Sequence, residues 1–305
     1  MSTVLTVEDF SVDYAVANPV HAVKNVSFEL ARGEILGLAG ESGCGKTTLA
    51  YGINRLLKSP AVITGGRVVF HDADGSDIVL PDLDDEALRA FRWDKLSMVF
   101  QGAMNALNPV TTIQSQLEDV FKTHRSYWKK ADRVERAGKL LETVGVDRSR
   151  LKSYPHELSG GMRQRVMIAM ALALGPQMMI MDEPTTALDV VVQREILREI
   201  RRLRDELGFA VIFITHDLPL LLEISDRIAV MRAGEIVEIG ESTELYTNPR
   251  HDYTKKLLGS FPSLTGDRGA FIRSGVDETA GGDATRASSG HEQATSVATS
   301  TGGAA

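Results

Sequence analysis

The chain has 305 residues, of which 43% are hydrophobic and 25% charged, so it can bury a core of ordinary globular size. Its formal net charge is -7, which argues against a general affinity for nucleic acid. The single cysteine, Cys44, excludes an intrachain disulfide and a thiolate metal cluster. No apolar run approaches the roughly 18 residues that span a bilayer, and no signal peptide is expected. If the protein works at a membrane, other subunits must cross it.

Two strands are predicted at the start of the chain, over 3–14 and 21–30, with the turn-like Ala17-Asn18-Pro19 between them. Tyr14 ends the first strand. A half-buried strand aromatic and a ring that stacks on a nucleotide base are both consistent with this position. Spacing alone favours the first interpretation.

The next stretch has the order strand, glycine-rich turn and helix. An apolar run at 34–39 precedes the sequence GESGCGKTT at 40–48, and a helical pattern runs from Lys46 to about Leu57. This is the context that a phosphate-binding loop requires. The alternative is a chance glycine-rich turn, which the two flanking elements disfavour.

The backbone and side chains of this stretch offer the groups that nucleotide binding requires. Gly40, Gly43 and Gly45 allow backbone angles that let successive N–H groups surround an anion, and the helix that follows adds its positive dipole end. Lys46 supplies a mobile charge for the outer phosphates, and the Thr47 hydroxyl is placed to bind Mg²⁺. We therefore predict nucleotide binding.

Further elements follow in chain order up to the middle of the chain. Pro60 and Gly65-Gly66 interrupt the pattern after the first helix. Beyond them we predict short strands at 66–71 and 78–80, a helix at 84–92, a buried strand at 96–100, a helical run at 111–145 and a helix at 160–174.

The second half continues the alternation of strands and helices. We predict strands at 178–181, 210–215, 227–231 and 235–239, with a helix at 190–207 and a short helix after residue 216. Residues 266–305 are rich in Gly, Ala, Ser and Thr, and we predict a disordered tail there. No internal repeat is present, so we expect one nucleotide-binding unit.

Polar residues follow three of the predicted buried strands. Gln101 ends the first, Asp182 and Glu183 the second, and His216 the third. Ligands of an open α/β sheet bind at the carboxyl ends of its strands, so all of them would face the same phosphates. Asp182 would hold Mg²⁺ with Thr47, and Glu183 would accept a proton from the attacking water. Gln101 would orient that water and touch the metal, while His216 would bind the γ-phosphate.

A second glycine-rich stretch, Leu158-Ser159-Gly160-Gly161-Met162, precedes a predicted helix. A serine and two glycines at a helix start expose backbone donors that could bind an anion. An ordinary N-cap explains the serine equally, and from physics alone the N-cap is the favoured interpretation.

Together these motifs resemble those of the ATP-binding-cassette (ABC) ATPases over about residues 3–264. The resemblance implies an α/β fold: a P-loop NTPase with a RecA-like core, an antiparallel β subdomain and a helical subdomain inserted at about 103–172. It also implies ATP as the nucleotide and ATP hydrolysis as the activity. The residues that match the Walker A loop are Gly40, Ser42, Gly43, Gly45, Lys46, Thr47 and Thr48, with Cys44 inside the loop.

The resemblance gives roles to the other motifs. Gln101 matches the Q-loop, Asp182 the Walker B carboxylate, Glu183 the catalytic base and His216 the switch histidine. Tyr14 matches the aromatic that stacks on adenine, which reverses the preference from spacing. The residues that match motifs facing a second subunit are Ser159, Gly160 and Gly161 of the signature, which caps the second subunit's ATP, and Ala187-Leu188-Asp189 of the D-loop.

Two further stretches, FQGAMNALNPV at 100–110 and NPRHDYTKKLLGSFP at 248–262, resemble the oligopeptide/dipeptide importer group, which includes nickel importers. This resemblance implies an ABC ATPase domain over 1–265, with a group-specific C-terminal segment at about 240–265. It implies ATP and Mg²⁺ as cofactors and a peripheral position at the cytoplasmic face of the membrane. The implied partners are a second, identical or homologous ABC ATPase subunit, two transmembrane permease subunits and, indirectly, an extracytoplasmic solute-binding protein. Nucleic acid is not among them.

Three alternatives remain open from the sequence. A subunit of a phosphonate (carbon–phosphorus lyase) complex would resemble this group closely. A non-transport ABC protein usually has two cassettes or long coiled coils, and neither is present. A P-loop kinase would leave Ser159, Gly160 and Gly161 unexplained.

Overall fold

A computed structural model describes residues 2–186 and 188–260. The predicted tail at 266–305 and Ala187 of the predicted D-loop lie outside the described residues. The strands are β1 (Thr3–Tyr14), β2 (Val20–Ala31), β3 (Ile35–Ala39), β4 (Ala61–His71), β5 (Asp77–Val79), β6 (Leu96–Val99), β7 (Met178–Asp182), β8 (Ala210–Ile214), β9 (Arg227–Arg232) and β10 (Glu235–Glu241).

The helices lie between and after these strands. They are α1 (Lys46–Ile53), α2 (Asp85–Phe91), α3 (Ile113–His124), α4 (Lys130–Thr143), α5 (Gly160–Ala171), α6 (Val190–Leu207), α7 (Leu218–Ile224), α8 (Ser242–Thr247) and α9 (Asp252–Gly259). Among the described residues, none of them is both long enough and apolar enough to cross a bilayer.

The larger sheet has six strands in the order β10-β9-β3-β8-β7-β6. All of its pairs are parallel except β9 with β10. β3, β7 and β8 are buried at every position, which explains their unbroken apolar sequences. Because β3 lies between β8 and β9, the loop that follows β3 emerges in the middle of the sheet edge. The carboxyl ends of β6, β7 and β8 share that edge.

The smaller sheet is antiparallel, with the order β2-β1-β4-β5. We expected a strand to start at residue 66, but β4 starts at Ala61 and continues through Gly65 and Gly66. Its pairing register with β1 shifts there, and Gly66 has φ +88. A Cβ atom on Gly66 would lie 2.4 Å from the Phe10 Cα atom. The two glycines therefore form a bulge where the strands approach closely, and they do not break the strand.

The structure corrects three helical predictions, of which the smallest correction is the end of α5 at Ala171, before the expected residue 174. α1 ends at Ile53, before the expected Leu57, because Arg55 adopts a left-handed φ of 50 that a helix does not allow. The run at 111–145 consists of α3 and α4, separated by five residues in which Trp128 packs against Phe121 with ring centroids 5.4 Å apart. All residues between β6 and β7 are described, and they contain helices but no strand.

The C-terminal helices α8 and α9 were not predicted as helices. They follow β10 directly, and their buried side chains, Leu245, Tyr246, Tyr253 and Leu258, belong to the hydrophobic core of the larger sheet. The C-terminal region therefore packs on the larger sheet, the sheet to which β6, β7 and β8 belong.

Candidate functional site

A cavity of about 750 Å³ lies at the carboxyl edge of the larger sheet, beside the end of β1. Side chains from both sheets and from α1 line it, so the predicted residues come together although they are far apart in sequence. The predicted residues that line the cavity are Tyr14, Ser42, Gly43, Gly45, Lys46, Thr47, Thr48, Gln101, Glu183 and His216. The lining residues that we did not predict are Val20, His21, Ala22, Lys24, Ala233 and Gly234.

The loop after β3 is packed tightly against its neighbours. Gly40 and Gly45 have φ values of +145 and +110. A Cβ atom would lie 2.2 Å from the Met231 carbonyl oxygen at Gly40, and 2.3 Å from the Ala22 carbonyl oxygen at Gly45. Glycine is therefore required at both positions by conformation and by space.

The Lys46 ammonium lies inside the loop. Its Nζ atom donates to the carbonyl oxygens of Gly40, at 2.7 Å, and Glu41, at 2.9 Å. Cys44 is buried, its Sγ atom is 3.6 Å from the same Nζ, and it is not among the cavity-lining residues. These contacts hold the charge of Lys46 at the floor of the cavity, where phosphate oxygens would approach.

Tyr14 links the smaller sheet to α1 at the rim of the cavity. Its Oη atom is 3.2 Å from Thr48 Oγ1, within hydrogen-bond distance, and the side chain is half-buried. The ring is thus both a half-buried strand aromatic and a wall of the cavity.

The Asp182 side chain is buried at the end of β7. Its Oδ1 atom accepts a hydrogen bond from Thr47 Oγ1 at 3.2 Å, and its Oδ2 atom has no partner among the described residues. Burial raises the pKa of Asp182, and the neighbouring carboxylate of Glu183 adds to the rise. An unpartnered buried carboxylate oxygen beside a hydroxyl is the kind of oxygen site that Mg²⁺ prefers, so these residues fit the metal.

Glu183 is held by three side chains from three segments. Its Oε1 atom lies 3.0 Å from His216 Nδ1, and its Oε2 atom accepts from Thr186 Oγ1 at 2.8 Å and from Gln101 Nε2 at 3.4 Å. Burial raises the pKa of Glu183, but the hydrogen bonds from His216 and Thr186 outweigh it and leave the pKa below its usual value. Glu183 is therefore ionised at neutral pH, as a base must be. Sequence reasoning missed Thr186, because no spacing signal distinguishes it from an ordinary turn residue.

The corner at 159–161 lies away from this cavity. Ser159 is exposed and caps α5, with Oγ accepting from the backbone N–H three residues on, at 3.3 Å. A Cβ atom on Gly161 would lie 2.9 Å from Val192 Cγ1, while Asp189 caps α6 by accepting from the Val192 N–H at 3.0 Å. Gly161 of the signature and Asp189 of the D-loop, which are both predicted to face a second subunit, thus lie next to Val192. None of the residues 159–161 lines the cavity. Gly160 shares this position at the start of α5.

A wider groove of about 1120 Å³ lies between β2, β10 and the C-terminal region. It contains none of the predicted site residues, and we place the functional site in the smaller cavity because the loop after β3 and the residues that follow β6, β7 and β8 converge there.

Two family models match the chain. The model described as "ABC transporter" matches residues 23–186, and the model described as "Oligopeptide/dipeptide transporter, C-terminal region" matches residues 237–284. The first match contains the loop after β3, the residues that follow β6 and β7, and the corner at 159–161.

Curated relatives match over most of the chain. The "Dipeptide transport ATP-binding protein DppD" of Bacillus subtilis is 43% identical over 268 residues, which cover 87% of this chain and 78% of that protein. The "Probable peptide ABC transporter ATP-binding protein y4tR" of Sinorhizobium fredii is 44% identical over 252 residues, with coverages of 82% and 73%.

Solved structures confirm the predicted P-loop NTPase fold. The dimeric ATP-binding cassette MJ0796, in a post-hydrolysis state bound to ADP and Pi, aligns with a TM-score of 0.67 at 30% identity and covers 78% of this chain and 98% of that one. The cbiO1 structure from Clostridium perfringens, part of the ABC transporter complex cbiONQ, aligns with a TM-score of 0.69 at 26% identity, with coverages of 87% and 98%. Because a family model matches more than half of its length and relatives are 43% and 44% identical to it over their aligned residues, the chain belongs to the ABC transporter family, as one of its ATP-binding and ATP-hydrolysing subunits.

Proposed function

We propose that this protein is the ATPase subunit of an importer for oligopeptides, dipeptides or a related solute, and that it works peripherally at the cytoplasmic face of the membrane. The observation that carries the proposal is the match of residues 237–284 to the C-terminal region of oligopeptide/dipeptide transporters. The names of the two relatives, both of peptide transport proteins, support the same solute class. Neither is named for phosphonates, so the carbon–phosphorus lyase alternative has no support from them.

The nucleotide would lie along the cavity from Tyr14 to Glu183. The Tyr14 ring would stack on adenine, and the backbone N–H groups of the loop at 40–48 would bind the phosphates together with Lys46. The Thr48 hydroxyl, which lies 3.2 Å from Tyr14 Oη, would fix the ring relative to the loop. These contacts would orient the γ-phosphate toward the ends of β6, β7 and β8.

Three residues would hold Mg²⁺: Thr47, Asp182 and Gln101. Thr47 and Asp182 are already in contact, and Asp182 Oδ2 lacks a partner in the described chain. No cluster of three His, Cys, Asp or Glu side chains suited to a metal occurs in the described residues. This is in keeping with a Mg²⁺ ion that takes few protein ligands and completes its shell with phosphate and water. Bound there, Mg²⁺ would supply positive charge to the β- and γ-phosphate oxygens.

Hydrolysis would begin with a water held between Glu183 and the γ-phosphate. Glu183 accepts a proton from this water as the water oxygen attacks the γ-phosphorus, and the bond to the oxygen bridging the β- and γ-phosphates breaks. The electron pair of that bond stays with ADP, while Lys46 neutralises its charge. Gln101 and His216, both in contact with Glu183, would orient the water and the γ-phosphate.

The chain would act with partners. Ser159, Gly160 and Gly161 would cap the ATP of a second ABC subunit, identical or homologous, with Asp189 beside them at the interface. Two transmembrane permease subunits would dock on the helices between β6 and β7. An extracytoplasmic solute-binding protein would be an indirect partner of this chain, through those subunits. The exposure of Ser159 and its distance from the chain's own cavity support this arrangement.

The test is reconstitution of the complex. The chain is expected to co-purify with two multi-span subunits, and ATP hydrolysis by the complex in lipid nanodiscs is expected to rise severalfold with binding protein and di- or oligopeptides. A complex that carries Glu183→Gln is the control. Stable, permease-free isolation with an unrelated soluble enzyme, or stimulation by phosphonates but not by peptides, would contradict the proposal.

A further inference from the structure

The C-terminal region contacts the phosphate-binding loop directly. Tyr253, in α9, is 6% exposed, and its Oη atom accepts a hydrogen bond from the backbone N–H of Glu41 at 3.2 Å. The two residues are 212 positions apart. Burial raises the pKa of the Tyr253 phenol, so the hydroxyl remains neutral at physiological pH. One neutral hydrogen bond thus joins α9 to the loop that binds ATP.

This hydrogen bond holds the same peptide unit that Lys46 holds. The N–H of Glu41 and the carbonyl of Gly40 belong to one planar peptide group. Lys46 Nζ donates to the Gly40 oxygen at 2.7 Å, while Tyr253 Oη accepts from the N–H on the opposite side. Because the peptide is rigid, a rotation that breaks the contact with Tyr253 also moves the oxygen that orients the Lys46 ammonium.

Tyr253 is also fixed against β9. The Arg232 guanidinium lies 5.0 Å from the centroid of the Tyr253 ring, a cation–π contact. The preceding residue, Met231, packs its carbonyl oxygen so close to Gly40 that no Cβ would fit between them. The ring, the end of β9 and the start of the loop therefore form one packed unit.

A carboxylate on β10 anchors α9 at its start. Glu238 accepts hydrogen bonds from the backbone N–H groups of Arg250, at 2.8 Å, and His251, at 3.0 Å. His251 Nδ1 in turn accepts from the Tyr253 N–H at 3.1 Å. Burial raises the pKa of Glu238, but the nearby Thr254 hydroxyl and the backbone N–H groups of Arg250 and His251 bring it below its usual value, so the anchor is ionised at neutral pH.

We propose that Tyr253 is a positioning residue for ATP binding: its hydroxyl, anchored on β10 through Glu238, orients the Gly40–Glu41 peptide and thereby the Lys46 ammonium. The C-terminal region then has a task inside the ATPase cycle, independent of the solute that is carried. The inference requires ATP binding, which the family provides, and does not depend on the proposed peptide transport.

The test is Tyr253→Phe in the full chain, with ATP and ADP as probes. Phenylalanine retains the ring, its packing and its contact with Arg232, and removes only the hydroxyl. We expect the dissociation constants measured by calorimetry and the KM for ATP to rise about threefold to tenfold. This is the change in affinity that the loss of one neutral hydrogen bond produces. The kcat at saturating ATP is expected to fall less, by no more than about twofold, because Lys46 keeps its charge and its contact with the Glu41 carbonyl oxygen.

Ser260→Ala is the control on the same helix. It removes a hydroxyl at the end of α9 that donates to the Leu257 carbonyl oxygen at 2.7 Å and, among the described residues, makes no hydrogen bond to the loop at 40–48 or to Glu238. Unchanged nucleotide affinity in this variant supports the proposal. An equal loss of affinity in Ser260→Ala and Tyr253→Phe would overturn it, because general loosening of α9 would then explain both.

A double-mutant cycle tests the route from β10. Glu238→Gln weakens the anchor, so it is expected to raise the dissociation constant for ATP about twofold in the natural chain and to have no further effect with Tyr253→Phe. The same increase in both backgrounds, or no change of affinity in Tyr253→Phe alone, would overturn the proposal.

Discussion

The cavity and the corner at 159–161 differ in how far the hydrogen bonds of their polar side chains reach along the chain. At the cavity, Glu183 joins Gln101, 82 positions away, and His216, 33 positions away. At the corner, the hydrogen bonds of Ser159 in the described chain reach only to positions three and four residues on. The difference shows that the chain assembles one set of polar groups for its own use and leaves the other set exposed. An exposed serine that makes only local hydrogen bonds, at a glycine-rich helix start, is suited to a ligand brought by another molecule.

The largest effect is expected on the cavity side, from Glu183→Gln. The amide keeps the size of the side chain but cannot accept a proton, so kcat for ATP is expected to fall about 10²- to 10⁴-fold while ATP binding is retained. Steady-state hydrolysis and equilibrium binding measure the two effects. Glu86→Gln, on the exposed face of α2, is the control and should leave both unchanged. Normal hydrolysis by Glu183→Gln would reject this residue as the base.

At the corner, the largest effect is expected from Ser159→Ala. We expect kcat to fall about tenfold or more, the worth of a hydrogen bond to a charged phosphate, and ATP-dependent dimerisation to weaken. The matched control is Thr112→Ala. The Thr112 hydroxyl caps α3 by accepting from the Ser115 N–H at 3.3 Å, so this variant also removes a helix N-cap. If both variants lose equal activity, capping explains the effect and the corner has no ligand of its own.

Thr186→Val probes the less obvious support of Glu183. The hydroxyl donates to Glu183 Oε2 at 2.8 Å and helps to keep the pKa of Glu183 low. Its removal favours the protonated form, so the acid limb of the kcat profile is expected to shift to higher pH by about one pH unit or less, while kcat at pH 7 changes little because Glu183 stays ionised there. An unshifted pH profile would limit Thr186 to a structural role.

The smallest effect is on stability, from Asp182→Asn. Burial raises the pKa of Asp182, so its contribution to folding is favourable at low pH and is lost as the pH rises through that pKa. Without nucleotide, Asp182→Asn is therefore expected to unfold at a temperature a few degrees higher at pH 8, with a gap that narrows at acidic pH. Thermal melts at both pH values measure this. A variant that is less stable at pH 8 would show that the charge is already compensated.

Much of the cavity is predictable from sequence because each motif marks a strand end. The apolar runs before Gln101, Glu183 and His216 indicate buried strands, and parallel strands bring their ends to one edge. The fold class follows from the same pattern. The start of β4 was predicted wrongly, because the Gly65-Gly66 pair that usually ends a strand forms a bulge here.

Two contacts could not be predicted. Thr186 lies on a turn whose geometry depends on the left-handed conformation of Glu183. Glutamate rarely adopts this conformation, so the sequence does not indicate it. Tyr253 has the spacing of a core aromatic on a short helix, and its contact with Glu41 depends on how α9 packs after the whole sheet has formed. Long-range packing of a terminal segment leaves no local periodicity to detect.

The backbone at Glu183 has a consequence for how such a protein tolerates change. Its φ of 47 is a conformation that glycine and asparagine adopt at lower cost than glutamate. A library of variants at this position, screened only for resistance to heat, is therefore expected to enrich those two residues and to discard the proposed base. Folding and hydrolysis thus favour different amino acids at one and the same site.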